Sequence, residues 1–251
     1  MKSEPRTDLT QLDGVLADNE VHVWHTNPAV SENTVRALTG LLDSGELDRA
    51  SRFKFPDIYR QFVLSHAFLR IVLSRYLQIE ARDVHFQTSS HGKPELQGSS
   101  GLRFNLSHTE SAAVVAITRA RRVGVDVERI REDLEPVELA DRFFSPQESQ
   151  WLRSRPAALR YSAFFECWTA KEAYIKACGE GLSRPLASFG VSPESGTAKL
   201  RLESYDHAED SKRWSLWQLD LGQGLRGAVA VEAENFVVRL GHWSFAEADN
   251  V

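Results

Sequence analysis

The chain has 251 residues, 42% of them hydrophobic and 26% charged, a balance that supports one large domain or two modest ones with a sizeable core. A net charge of -5 disfavours a polyanionic partner, because binding nucleic acid wants a basic footprint. No run approaches the ~18 apolar residues of a membrane span, and the first 24 residues lack a charged-then-apolar leader, so a cytoplasmic protein without membrane attachment is expected.

Arg49, Arg52, Lys54 and Arg60 gather in the first half, a cluster that suits either a solvated helix face or a small phosphorylated ligand. Behind Pro56, residues 57–77 place Ile58, Phe62, Leu69, Val72, Leu73 and Tyr76 at helical spacing, which predicts a long helix. The runs LRFNLSH, AAVVAITR and RVGVDVERI then read as strands. Residues 159–178 predict a second long helix, with Phe164, Trp168, Ile175 and Cys178 in register and Gly179 placed as its C-terminal cap. WSLWQL, GAVAVEA and FVVRLGHW continue the strand pattern. Cys167 and Cys178 share the second helix with neither CxxC spacing nor nearby His, and read as small core residues rather than a disulfide or zinc site.

An internal echo links the parts. Arg52-Phe53-x-x-Pro56 runs into the first long helix and Arg142-Phe143-x-x-Pro146 precedes the second. The fold expected is therefore α+β: two pseudo-symmetric halves, residues 1–120 and 121–251, each a long helix packed on a small, mainly antiparallel sheet and joined near residues 119–123. A duplicated fold has its natural cleft between the halves, where small ligands bind.

Three segments carry candidate chemistry. In GVDVERI, Asp126 and Glu128 leave one face of a strand while Val125 and Val127 leave the other. At ~4 Å and an effective dielectric of about 20, two such carboxylates repel by ~4 kcal/mol, so the pair wants a cation, a proton or full solvation. In WTAKEAYIK, charges interrupt an apolar stripe: Glu172 lies one turn from both Trp168 and Lys176, and Lys171 lies on the stripe itself. An exposed Glu-Lys pair is worth only ~0.3–0.5 kcal/mol, too little to explain that placement. Glu172 set over the D-x-E strand would complete an oxygen-rich site suited to magnesium, with the two lysines facing phosphates. In FNLSH, Asn105 and Ser107 point away from Phe104 and Leu106, with His108 at the strand end. That segment is a turn or a phosphate contact; a serine hydrolase lacks its G-x-S-x-G elbow here.

Taken in order, GKP at 92–94, FNLSH at 104–108, GVDVE at 124–128 and WTAKEAYIK at 168–176 resemble the 4′-phosphopantetheinyl transferase superfamily, in its two-lobed, Sfp-like branch. The resemblance covers roughly residues 45–190. It implies a monomeric enzyme that moves the phosphopantetheine arm of coenzyme A onto a serine of an apo carrier protein (acyl, peptidyl or aryl), releasing adenosine 3′,5′-bisphosphate. It implies Asp126, Glu128 and Glu172 as magnesium ligands, Glu172 also as the base, with Glu128 or a water as alternatives, and Lys176 and His108 as catalytic groups. Lys93 and Pro94 would lie beside the adenine, and Arg60, Ser107, His108, Lys171 and Lys176 would hold the phosphates. Lysines common in the family before the first RF segment are replaced by Glu46, Asp48 and Arg49, which leaves Arg49 or Arg52 for the 3′-phosphate. The carrier would dock near Gly181, Leu182 and Leu186. Two other readings remain: a non-catalytic coenzyme A or carrier-binding module, and a magnesium-dependent phosphohydrolase.

Overall fold

Pro56 needs no amide partner in a first helical turn, and the computed structural model opens a 22-residue helix, α3 (Pro56–Leu77), on it. The structure describes residues 15–88, 92–179, 181, 184–207 and 209–245. Before α3 come β1 (Glu20–Thr26), α1 (Glu32–Thr39) and α2 (Ser44–Ser51). After it come β2 (Phe86–Thr88), β3 (Pro94–Leu96), β4 (Leu102–Thr109) and β5 (Ala112–Arg119). The second half repeats this order: β6 (Val123–Arg129), α4 (Pro136–Phe143), α5 (Pro146–Arg153) and α6 (Arg160–Cys178). It continues with β7 (Phe189–Pro193), β8 (Lys199–Ser204), α7 (Asp210–Arg213), β9 (Ser215–Leu219) and β10 (Leu225–Val231), and β11 (Val237–Trp243) closes the described chain.

The sheets carry the duplication. One large sheet has the order β11-β1-β5-β4 and the other β6-β10-β9-β8-β7, so β1-β5-β4 is matched by β6-β10-β9, while β2 and β3 form a separate two-stranded sheet. Each half buries its long helix on its own sheet: Phe62, Phe68 and Leu73 of α3 meet Trp24, Phe104 and Ile117, while Phe164, Tyr174 and Ile175 of α6 meet Phe189, Leu216 and Ala228. Val21, Val23 and Val114 of the first sheet face Val125, Val127 and Val229 of the second, so the two sheets share a third apolar core between the halves. The α+β expectation holds, as do both long helices and the six strand runs.

Two details differ from the sequence reading. Pro146 opens only the eight-residue α5, and the long helix starts afresh at Arg160, so the second RF-x-x-P is not the lead-in to it. The structural repeat lies in capping boxes instead: Asp43 with Glu46 starts α2, and Ser145 with Glu148 starts α5. Each box glutamate meets a fully buried cation from the following long helix, Arg70 in one half and Lys171 in the other. Second, the chain returns at its end to the first half. β11 pairs in parallel with β1, from Glu20 opposite Val237 to Thr26 opposite Trp243, and Phe245 packs edge-on to Phe68 at 6.3 Å. Residues 237–245 thus cover the first half's sheet and core, although a division at 121 assigns them to the second.

Candidate active site

Gly124 sets the distance between β6 and α6. A Cβ there would lie 2.1 Å from the Ala173 carbonyl oxygen and 2.4 Å from the Ala177 nitrogen, so only glycine lets the helix backbone come this close. Ala170, Ala173 and Ala177 are buried along the same side of the helix. This contact places Lys176 directly over the strand: its Nζ donates to Asp126 Oδ1 at 2.6 Å and to Ser107 Oγ at 3.1 Å. Ser107 Oγ itself donates to Asp126 Oδ1 at 2.9 Å. From the other half, β4 is joined to β6 by side chains: Val125 N donates to Asn105 Oδ1 at 2.8 Å and Val127 N to Ser107 Oγ at 3.3 Å. The face assignments for FNLSH and GVDVE therefore hold, and the segments meet where the halves join.

The electrostatics show a deficit of positive charge. Burial raises the pKa of Asp126 above the ordinary carboxylate value, against the pull of Lys176 and the Ser107 hydrogen bond. Burial also raises Glu128, with the charges of Asp126 and Glu172 adding to it. Glu172 is raised by burial and then by the charge of Asp126, with Lys176 opposing. The three carboxylates thus feel one another. Asp126 Oδ2 is buried without a hydrogen-bond partner. Among the described residues, no three His, Cys, Asp or Glu side chains are gathered closely enough to enclose a metal ion. An open, all-oxygen set with one partnerless buried oxygen suits magnesium, which keeps several waters and takes one or two protein carboxylates beside substrate phosphates.

The remaining candidates divide. His108 is exposed at the end of β4, yet the protein packed beside it and the positive charges of His66, Lys176 and Arg49 hold its pKa down to about 4, so it is neutral at pH 7. That coupling brings Arg49 to the site. Its guanidinium lies 5.4 Å from the Phe62 ring centre, while Arg52 pairs with Asp48 on α2. His66 was not apparent as a site residue from sequence; it stacks on Phe62 and its Nδ1 bonds Glu46 Oε1 at 2.7 Å. The signal for it was only its place on the face of α3 that carries Phe62. Pro94 is exposed at the start of β3, and Lys93 Nζ donates to the Val123 and Lys176 carbonyl oxygens, both at 2.9 Å. Arg60 is bound to Glu32 and to the Val30 carbonyl, at the foot of α1, rather than to the carboxylate cluster.

Lys171 corrects the sequence reading. It is 0% exposed, and its Nζ donates to the carbonyl oxygens of Leu186 at 2.9 Å and Phe189 at 2.5 Å and pairs with Glu148 Oε2 at 2.8 Å. Its ammonium is enclosed by these groups of the second half's core rather than presented at the surface. Of the residues expected to face a carrier, Gly181 is exposed and Leu186 half-buried, while Leu182 lies outside the described residues.

The family model described as the 4′-phosphopantetheinyl transferase superfamily matches residues 122–232, and that described as the 4′-phosphopantetheinyl transferase N-terminal region matches residues 25–120, meeting at the β5–β6 link. The 4′-phosphopantetheinyl transferase HetI of Nostoc sp. is 36% identical over 232 residues, covering 91% of this chain and 94% of the relative. Psf-1 of Bacillus pumilus, also named a 4′-phosphopantetheinyl transferase, is 36% identical over 160 residues (62% of this chain, 66% of the relative). The 4′-phosphopantetheinyl transferase Sfp of Bacillus subtilis is 28% identical over 169 residues (67% and 74%). With both halves matched in order, and a relative aligned along nearly its whole length, the chain belongs to the 4′-phosphopantetheinyl transferase superfamily, in its Sfp-like branch.

Proposed function

We propose that this transferase moves phosphopantetheine from coenzyme A to a carrier-protein serine at the junction of β4, β6 and α6, with Asp126, Glu128 and Glu172 as its magnesium-holding set. The observation that supports this most is the partnerless buried Oδ2 of Asp126 in a group of three mutually repelling carboxylates. Magnesium, when bound, supplies the positive charge that neutralises the diphosphate and the departing bisphosphate. Lys176, a third exposed and already over Asp126, holds the diphosphate from the helix side. His108, neutral at pH 7, meets a phosphate as an uncharged N–H donor, with Ser107 beside it. Arg49 supplies a full positive charge to the same wall.

Glu172 is the base. Half-buried on α6, one turn from Lys176, it takes the carrier serine's proton, directly or through water. As that proton leaves, the serine oxygen bonds to the β-phosphorus and the bond to adenosine 3′,5′-bisphosphate breaks. The carrier docks near Gly181 and Leu186, beyond the end of α6, and one chain supplies both halves of the site, consistent with a monomer. Among the described residues no helix is long and apolar enough to cross a membrane.

A double-variant cycle tests the shared site. Asp126→Ala and Glu172→Ala should each cut turnover by about a hundredfold or more, and the double variant should be far less than multiplicatively worse. Fully multiplicative losses would mean that the two carboxylates act apart.

A further inference from the structure

Lys93 stands in the GKP segment that the family resemblance sets beside the adenine, and its ammonium bonds the protein's own backbone. It is half-buried, and its Nζ reaches two backbone oxygens at 2.9 Å, one on Val123 and one on Lys176. Val123 begins β6, the strand of Asp126 and Glu128; Lys176 lies in the last turn of α6, the helix of Glu172. The carbonyls of a last helical turn lack intrahelical donors and carry the negative end of the helix dipole, so a cation is well placed there. Lys93 comes from the first half, on the approach to β3, whereas both of its acceptors belong to the second.

We infer that Lys93 is a positioning residue whose ammonium clamps the final turn of α6 to the start of β6, and so keeps Lys176 over Asp126. This rests on the reading of those two residues as site groups. Gly124 already brings the helix against the strand, and steric contact alone stops further approach but not sliding or fraying of the last turn. A charged donor shared by the strand's first carbonyl and the helix's last turn fixes their register. A loss of about 1 Å of register at Lys176 is enough to cost on the order of a hundredfold in rate.

The clamp has a pH signature. Burial pulls the Lys93 pKa down to about 8, with Glu95 and Cys178 opposing and Arg122 and Arg103 lowering it further; among the described residues these are the charged and titratable groups that face it from β3, β4, the β5–β6 link and α6. As pH rises through about 8 the charge-assisted bonds become neutral ones, roughly half as strong. Turnover should therefore fall on an alkaline limb near pH 8. Stability should not fall with it. A lysine whose folded pKa lies below its unfolded value leaves the unfolded chain holding more protons between the two, so this group favours the fold increasingly as pH rises in that window.

The experiment measures kcat and the KM for coenzyme A from pH 6 to 9.5, with melting curves, for the full chain and for Lys93→Met and Lys93→Arg. At pH 7, Lys93→Met should lose about tenfold or more in kcat with its coenzyme A KM within about twofold, and its alkaline limb near pH 8 should vanish. Lys93→Arg should restore most of the kcat and move the limb upward. A substrate contact predicts the reverse split: tenfold weaker coenzyme A binding, kcat unchanged and the limb retained, which would overturn the inference. If Lys93→Met does not fold, Lys93→Arg decides: a limb still at pH 8 in that variant overturns the clamp and a shifted limb supports it. Asp126→Ala run in parallel separates the two levels. Full turnover in that variant would undo the site reading itself, whereas its inactivity together with a pure affinity loss in the Lys93 variants would undo the clamp alone.

Discussion

Glu172 and Asp126, proposed to share a site, differ in what they do for stability. Glu172 is destabilised as an anion by burial and by Asp126, so Glu172→Gln should leave the metal-free protein equally or more heat-stable while abolishing most turnover. Asp126 accepts from both Lys176 and Ser107, so Asp126→Ala should lower the metal-free melting temperature, since it strips a partly buried cation of its partner. Melting curves in chelator check this; a destabilised Glu172→Gln would count against the charge-deficit account. Lys171 makes a sharper case. Lys171→Met leaves Glu148 as an uncompensated buried charge and should cost about 3 kcal/mol of stability, with coenzyme A affinity unchanged in the folded fraction. Adding Glu148→Gln should recover part of that loss. The helical period had already set Lys171 on the stripe with Phe164 and Ile175; what it could not supply was the partner, because Glu148 lies on a separate helix and nothing in local spacing links the two. Reading the charge as functional was the error, and burial corrects it.

At the level of elements, the site depends on one strand and one helix held closer than ordinary side chains allow. Gly124→Ala would push a methyl into the α6 backbone, which cannot give way as a flexible side chain can. Turnover should drop by roughly a hundredfold with a stability loss of about 1–3 kcal/mol, and coenzyme A titration with circular dichroism would separate misplacement from unfolding. A fully active Gly124→Ala protein would show that the β6–α6 spacing is not what places Lys176. The two long helices and the strands of both motifs were legible because each carries a sustained period and α6 ends on a glycine in the left-handed region, φ 76°. The elements that escaped are mostly short or carry weak periodicity: β2 and β3 have three residues each, and α1, α2, α4 and α5 have eight. Such segments are fixed by tertiary contacts and caps more than by a repeating pattern. Gly124 stood inside a quoted motif, yet its meaning depends on a helix fifty residues downstream.

Over the whole molecule, the duplication and the returning last strand tie the halves into one unit. Phe245, 3% exposed, fills the first half's core from the far end of the chain, so Phe245→Ala should cost about 3 kcal/mol. That corresponds to a melting point lower by about 10 °C, with both halves unfolding in one transition. Calorimetry showing two separated transitions would contradict that coupling. The duplicated architecture was readable from the order of helices and strands, whereas the parallel β1–β11 pair was not, since its partners lie at opposite ends of the sequence and parallel pairing leaves no hairpin signal. On the proposed function, Asp126 and Glu128 of β6 and Glu172 of α6 act through a divalent cation on the coenzyme A diphosphate. Weighing an apo carrier protein after incubation with this protein and coenzyme A, with magnesium or after exhaustive chelation, tests it most directly. The carrier should gain one phosphopantetheine unit with magnesium, none after chelation, and recover the gain when magnesium is restored; complete transfer in the chelated sample would rule out the metal role.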